Sequence, residues 1–479
     1  MAAPIAKGWC WAWRHRGFIL KRKPRCFCFR LEFLSTVSGG SGLLSSLNKR
    51  GIIKDAFPDS AAQVELPRLL ESAPQTVYCG FDPTADSLHV GNLLAIIGLL
   101  HFRNAGHNAI AVIGGATAQI GDPSGKTTER EKLPSDVVED NTRGIRESLQ
   151  RIFTNHELYY SGSEHGLGTF TVLNNASWYR GWDVVSFLSD VGRHFRMGTL
   201  LSRHSVQSRL NSPEGMSLTE FSYQLFQAYD FHHLNQNHDC RIQLGGTDQL
   251  GNLMSGHEYI HKVTGQEVYG LTTPLVTSTT GDKLGKTGGN AVWLNQDRTS
   301  PFELYQYFLR QPDSAVEKYL KLFTFIPLAE VDQVIDLQRQ DPGKRPAQKR
   351  LAAEVTKLVH GKEGLESAKR CTRALFHSSL QALQQMSDSE LQVLFREAPF
   401  SELLLEPGTT VLEACRRVQA VPDGARGYRM VTEGGVWINH SRADNPDQVL
   451  IPGQHILANG LTLLRVGKKN FYIVRWLNL

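Results

Sequence analysis

Within residues 75–100 the chain changes period once, and that change fixes the kind of fold available to it. Residues 75–81 read as a strand, Asp82-Pro83 breaks it, and a polar loop follows. A helix then opens with His89, Gly91 and Asn92 in its first turn. Leu93, Leu94, Ile96, Ile97 and Leu100 continue it at core-facing spacing. A strand that feeds a helix through a glycine-containing turn belongs to α/β proteins. There the helix-end amides and the positive end of the dipole meet an anion. An imidazole in that turn adds a donor beside the anion.

At 479 residues and 41% apolar composition, the chain can bury several cores, and two to four domains are expected. Its longest apolar runs are too short to span a bilayer, so no membrane partner is expected. Lys7, Arg14, Arg16, Lys21, Arg22, Lys23, Arg25 and Arg30 fall in the first 31 residues, before the first acid, Glu32. Such an Arg-rich, acid-free start reads as an organelle transit peptide. The other reading is a basic tail that stays on and contacts RNA. The formal charge of +5 is then misleading, because without those eight cations the remainder carries −3. Bulk charge cannot hold nucleic acid on such a protein, so RNA binding needs local patches. Cys79, Cys240, Cys371 and Cys415 lie far apart, which suits reduced thiols and not a disulfide scaffold.

The expected organisation has four parts. Residues 1–45 are transit peptide and linker. Residues 46–295 form a Rossmann-like α/β domain, with strands at 75–81, 108–114, 240–245 and 272–277 and a helical insertion at about 125–219. Alternating strands and helices argue for a parallel sheet covered on both faces. Residues 296–397 are α-helical. They open at Ser300-Pro301-Phe302-Glu303, where a Ser cap, a Pro in the first turn and a Glu make a capping box. Residues 398–479 form a small α+β unit. Its strands at 461–466 and 471–476 flank Gly467-Lys468-Lys469-Asn470 as a hairpin.

Three patterns invite other chemistry. His257-Glu258-Tyr259-Ile260-His261 has the form of a zinc-protease motif, but the loop at 245–249 accounts for the region without a metal. Residues 121–127 are one residue too short between the glycines for a Walker loop. His232, His233, His238 and Cys240 lack good ligand spacing. No dedicated protein metal site is expected.

Four further segments carry chemistry in combination. Residues 114–126 form a Gly-rich run that includes Asp122 and Lys126, with Arg130 close behind. Tyr223, Gln227 and Asp230 share one helical face by steps of four and three. Gln243, Gly245, Gly246, Thr247, Asp248 and Gln249 sit at a strand end, and Lys283-Leu284-Gly285-Lys286-Thr287 sits in a loop.

In this order, together with the string Tyr-Cys-Gly-Phe-Asp-Pro-Thr-Ala-Asp-Ser-Leu-His-Val-Gly-Asn over residues 78–92, the chain resembles the class I aminoacyl-tRNA synthetases. The form is that of tyrosyl-tRNA synthetases of the bacterial and organellar type, over about residues 50–479. The resemblance implies a Rossmann-like catalytic domain, a helical anticodon-binding domain, an S4-like RNA-binding domain and a homodimer. It also implies L-tyrosine, ATP with accompanying Mg2+, and tRNA(Tyr) as partners, and with the basic presequence it implies the mitochondrial matrix.

The residues carried over suit that chemistry. Attack of a carboxylate on the α-phosphate of ATP needs positioning and charge stabilisation. His89, Asn92, Lys283, Lys286, Thr287, Lys126 and Arg130 are the implied catalytic set. Gly80, Asp82, Thr84, Gly91, Gly246 and Asp248 join His89 and Lys286 around the nucleotide. The substrate ammonium suits Asp122, Tyr223 and Gln227, with Gln243 and Gln249 near the reacting carboxyl. The phenol suits Tyr78 and Asp230, and phenylalanine leaves that carboxylate without its partner.

Asn92 stands where the family most often has a second His, and the lysine loop is Lys-Leu-Gly-Lys-Thr. A synthetase-derived RNA-binding protein would have an eroded pocket, whereas these positions are complete. A tryptophanyl enzyme has no phenol for Tyr78 and Asp230 to read.

Overall fold

The computed structural model describes residues 42–162, 166–277, 284, 286, 287, 290–376, 379–387, 390, 391, 393, 398–467 and 470–477. The expected transit peptide, Lys283, and the Lys468-Lys469 pair lie outside these residues, as do the side chains of Lys286 and Thr287.

The strands in chain order are β1 (Asp55–Phe57), β2 (Thr76–Phe81), β3 (Asn108–Ile113), β4 (Phe170–Asn174), β5 (Cys240–Gly246), β6 (Tyr269–Thr273), β7 (Lys286–Thr287), β8 (Asn290–Ala291), β9 (Phe400–Leu403), β10 (Val436–Ile438), β11 (Ser441–Ala443), β12 (Leu461–Val466) and β13 (Asn470–Trp476). The main sheet runs β1-β6-β5-β2-β3-β4. Its members pair in parallel except β1, which lies antiparallel to β6. β2 and β5 are neighbours, so the ends of these two strands open side by side where the order of connection reverses. Ligands of open α/β sheets bind at that kind of place.

Two expectations are corrected here. The last strand of the sheet is β6 at 269–273 and not 272–277. Gly270 weakens its strand signal, yet the strand is buried throughout, and Leu253 packs where a Gly270 side chain would stand. The stretch 125–219 is also not wholly helical. It contributes β4, an edge strand only partly buried.

The helix Val90–Asn104 covers the sheet with Leu93, Leu94, Ile96, Ile97 and Leu100, as the spacing predicts, and with Leu99 and Phe102 besides. Burying each such side chain is worth about 1.5–3 kcal/mol. The same hydrophobic core continues without a break into the helices Pro301–Leu309, Asp313–Phe323 and Pro346–Phe376, through Leu304, Phe308, Leu320, Leu351 and Val355. Polar ties reinforce it. Arg50 donates to the carbonyls of Thr324 (3.0 Å) and Ile326 (2.6 Å). Arg151 donates to those of Val359 (3.1 Å) and Leu294 (2.9 Å).

The Ser300–Glu303 capping box is present as the pattern predicts. The long helix Pro346–Phe376 breaks at Gly361, whose φ of 73° only glycine adopts readily. Past Phe376 come the short helix Leu380–Gln384 and helical residues at 390, 391 and 393, separated by the non-helical residues 385–387, so the helical period does not run unbroken to residue 397.

The C-terminal sheet runs β11-β10-β12-β13-β9, with the predicted hairpin as β12 and β13. One face packs on its own helices through Val411, Cys415 and Val431. The other packs Leu461, Leu463 and Ile473 on Cys371, Ala374 and Leu383 of the helical region. Cys79, Cys240, Cys371 and Cys415 are buried free thiols. No described helix is long and apolar enough to cross a membrane.

Candidate active site

A cleft of about 1510 Å³ opens at the ends of β2 and β5. Tyr78, Gly80, Asp82, Thr84, His89, Gly91, Asn92, Asp122, Lys126, Arg130, Tyr223, Gln227, Asp230, Gln243, Gly246, Asp248 and Gln249 all line it. The residues singled out from sequence therefore come together wherever their side chains are described. Of the lysine-loop positions, Lys286 and Thr287 are placed by their backbone, as β7 paired with β8.

At one end lies Asp230, on the buried face of the helix Leu218–His238. Its Oδ2 accepts from Asn175 Nδ2 (3.0 Å), and its Oδ1 accepts from Trp178 Nε1 and the Tyr179 hydroxyl (2.8 Å each). Burial pushes its carboxyl up to about 6, while those three donors hold it from rising further. An ionised carboxylate offers about four lone-pair sites. Three are occupied, so about one remains on the Oδ2 side. Tyr78 stands on β2 against the Phe231 ring, 5.3 Å away, and its buried hydroxyl has no protein partner. Burial, and then the charge of Asp230, push that phenol well above its usual range, so it stays a donor. A free acceptor site beside an unpartnered O–H suits a group that both donates and accepts, such as a phenol.

Further along, Asp82 accepts from Thr117 Oγ1 (2.7 Å) and from the Tyr223 hydroxyl (2.9 Å). Burial pushes Asp82 up to about 7; the Thr117 bond opposes this, Asp122 adds to it, and Tyr223 and Arg130 oppose it. Asp122 accepts from its own Ser124 N–H (2.9 Å) and from Gln249 Nε2 (2.7 Å). Asn252 Nδ2 lies 2.9 Å from Gln227 Oε1 and 3.1 Å from Gln249 Oε1, and ties these groups into one network. Gln243 Oε1 is buried without a protein partner. Tyr223 and Gln227 thus sit in a cluster of carboxylate and amide oxygens that favours a cation.

At the nucleotide end, His89 caps the helix Val90–Asn104. Its Nδ1 accepts from the Gly91 N–H (3.0 Å), while Asn92 Oδ1 accepts from the His89 N–H (3.1 Å). A capping box usually pairs Ser or Thr with Glu; here His and Asn make one. Because Nδ1 accepts, the neutral ring carries its proton on Nε2 and donates from there. A Cβ on Gly91 would stand 2.7 Å from His89 Cε1, so only glycine leaves the imidazole in place. At Gly80 a side chain would project into open space, which leaves the backbone accessible to a ligand.

The other patterns have ordinary partners. His257 and His261 both face Glu267 (3.2 and 2.8 Å), and Glu258 pairs with Arg203 (2.8 Å). Among the described residues no cluster of metal-binding side chains occurs. The Trp178 ring stacks on His233 at 4.5 Å. Sequence reasoning missed Thr117, Asn175, Trp178, Tyr179 and Asn252. Only Asn252 carried a usable signal, one helical turn after Gln249.

The family model for class I tRNA synthetases (W and Y) matches residues 70–377. The mitochondrial tyrosine–tRNA ligase of Homo sapiens is 59% identical, with 100% of both chains covered. That of Mus musculus is 57% identical over the same shares. A C-terminally truncated mitochondrial tyrosyl-tRNA synthetase from Aspergillus nidulans superposes with a TM-score of 0.64 at 34% identity, covering 70% of this chain and 95% of its own. The chain belongs to the class I tRNA synthetases, in the group of the tyrosine–tRNA ligases.

Proposed function

We propose that the cleft activates tyrosine with ATP, giving tyrosyl-adenylate and pyrophosphate. The tyrosyl group then passes to the 3′ end of tRNA(Tyr) for protein synthesis in the mitochondrial matrix. The observation that carries the reading is the unpartnered Tyr78 hydroxyl in the same cleft as Asp230, whose carboxylate has three of about four acceptor sites filled. Those groups receive the phenol. Asp122, Tyr223 and Gln227 take the ammonium, with Gln243 and Gln249 beside the carboxyl. The substrate carboxylate then attacks the α-phosphate, and the P–O bond to pyrophosphate breaks.

His89 donates from Nε2 to the nucleotide, and Asn92 offers its amide N–H2. Gly80, Asp82, Thr84, Gly91, Gly246 and Asp248 shape the nucleotide pocket. Lys283, Lys286 and Thr287, with Lys126 and Arg130, neutralise the departing phosphates. Mg2+ enters as part of the ATP. Such groups act by position and charge, which suits a step with little covalent chemistry for the protein.

Residues 296–397 serve as the anticodon-binding region and 398–479 as an S4-like RNA-binding domain, where Arg426, Arg429, Lys468 and Lys469 meet phosphates. The basic residues 1–31 direct import. A homodimer accounts for an apolar face. The helix Val184–Asp190 packs Phe187 on Phe226, while Val184, Val185 and Leu188 stand more than half exposed, as does Leu218. Sedimentation should show two chains per particle; a single chain would refute the dimer. Charging of a tRNA(Tyr) transcript with labelled tyrosine tests the reading as a whole, and absence of ATP-dependent charging would refute it.

A further inference from the structure

The segment that follows the lysine loop is built onto the loop that carries His89. The Val90 N–H donates to the Val292 carbonyl (2.9 Å), and the Leu294 N–H donates to the Leu88 carbonyl (2.8 Å). His89 and Trp293 are thereby opposed as an antiparallel bridge. The Asn295 N–H donates to Ser87 Oγ at 3.0 Å. Directly opposed residues put their side chains on one face. The His89 and Trp293 ring centroids are 6.2 Å apart with planes at 61°, an edge-to-face contact.

Trp293 is held in turn. Its N–H donates to Thr299 Oγ1 (3.0 Å), and the Arg298 guanidinium lies 4.7 Å over its ring. Arg298 is also ion-paired with Asp86, three residues before His89. The contacts Asp86–Arg298–Trp293–His89 therefore close on themselves, beginning and ending in one loop. Trp293 and Arg298 both line the cleft.

We propose that Trp293 is a positioning residue for amino-acid activation. It fixes the plane of the His89 imidazole, and Asp86 and Arg298 lock the indole that does so. The backbone pairing also fixes the register between His89 and residues 292–294, which follow the lysine loop in the chain. This rests on the reading of His89 as a donor to the nucleotide.

The test is a double-mutant cycle on the full chain by ATP–pyrophosphate exchange, using His89→Ala, Trp293→Leu, Trp293→Phe and the His89→Ala/Trp293→Leu pair. Trp293→Leu should lower kcat by about 10- to 100-fold, the scale of a misplaced reacting group, with the KM for tyrosine unchanged. Trp293→Phe should restore most of that loss. In the His89→Ala background Trp293→Leu should add less than about 2-fold, because coupled positions are not additive. Effects that multiply in that background would overturn the proposal alone, as would a raised KM for ATP at unchanged kcat. An unchanged rate for His89→Ala would instead sink the reading of His89. If Trp293→Leu fails a melting control, Arg298→Met takes its place in the cycle with the same two outcomes.

Discussion

Asp230→Asn keeps the shape of the side chain and turns one oxygen into an N–H2. Three donors meet that carboxylate: two at Oδ1, from Trp178 and Tyr179, and one at Oδ2, from Asn175. The amide keeps most by placing its oxygen at the Oδ1 position. Its N–H2 then opposes Asn175 Nδ2 at about the present 3.0 Å, a donor against a donor. The site left for the substrate phenol is on that same side, and it changes from acceptor to donor. One hydrogen bond to a charged group is lost in the complex, worth about 1.5–3 kcal/mol. At about 1.4 kcal/mol per decade, kcat/KM for tyrosine should fall about 10- to 100-fold. Phenylalanine makes no bond there, so its kcat/KM should change little and the preference for tyrosine should shrink by the same factor. ATP–pyrophosphate exchange with each amino acid measures both. The wild type adds a check through pH. The carboxyl is raised to about 6, so below that pH it is protonated, and tyrosine preference should decline as pH falls through about 6. The Asn variant should lack that decline. A tyrosine preference unchanged by the substitution would refute the placement of the phenol.

Two further predictions concern charge. Burial raises Asp82 to about 7, so near neutral pH part of it is protonated in the free protein. An incoming ammonium favours the ionised form, and tyrosine binding near neutral pH should release part of a proton, read as a buffer-dependent calorimetric enthalpy. Identical enthalpies in phosphate and Tris would contradict it. The same raised value means that the stability Asp82 adds to the ligand-free protein is full below its ordinary range and lost as pH rises through about 7. Arg209 and Glu220, 1% and 2% exposed, form a bidentate pair at 2.6 and 2.9 Å, and Arg209 also donates to the Thr127 carbonyl beside Lys126. Glu220→Ala strands a buried cation and should cost about 3–5 kcal/mol in urea unfolding, with most of it recovered by adding Arg209→Met. An unchanged midpoint would contradict that.

What could be read in advance was what local period and local chemistry determine. The β2-to-helix junction, the Ser300–Glu303 box and the face shared by Tyr223, Gln227 and Asp230 each depend on a few neighbouring residues. β1, β4 and the place of β6 depend on partners far along the chain. Gly270 in β6 makes sense only once Leu253 is seen against it. Asn175 illustrates the same limit. Nothing near it in sequence marks a site, yet it joins Thr117 (3.0 Å) to Asp230 because β4 lies next to β3. Conversely, His257 and His261 matched a metal pattern by spacing alone, and Glu267 turns out to hold both.

The central claim is that one cleft selects tyrosine by its hydroxyl before joining it to ATP. ATP–pyrophosphate exchange with tyrosine, phenylalanine and tryptophan side by side tests it most directly. Exchange should be supported by tyrosine, with phenylalanine lower by orders of magnitude and tryptophan inactive. Comparable exchange with phenylalanine or tryptophan would contradict it.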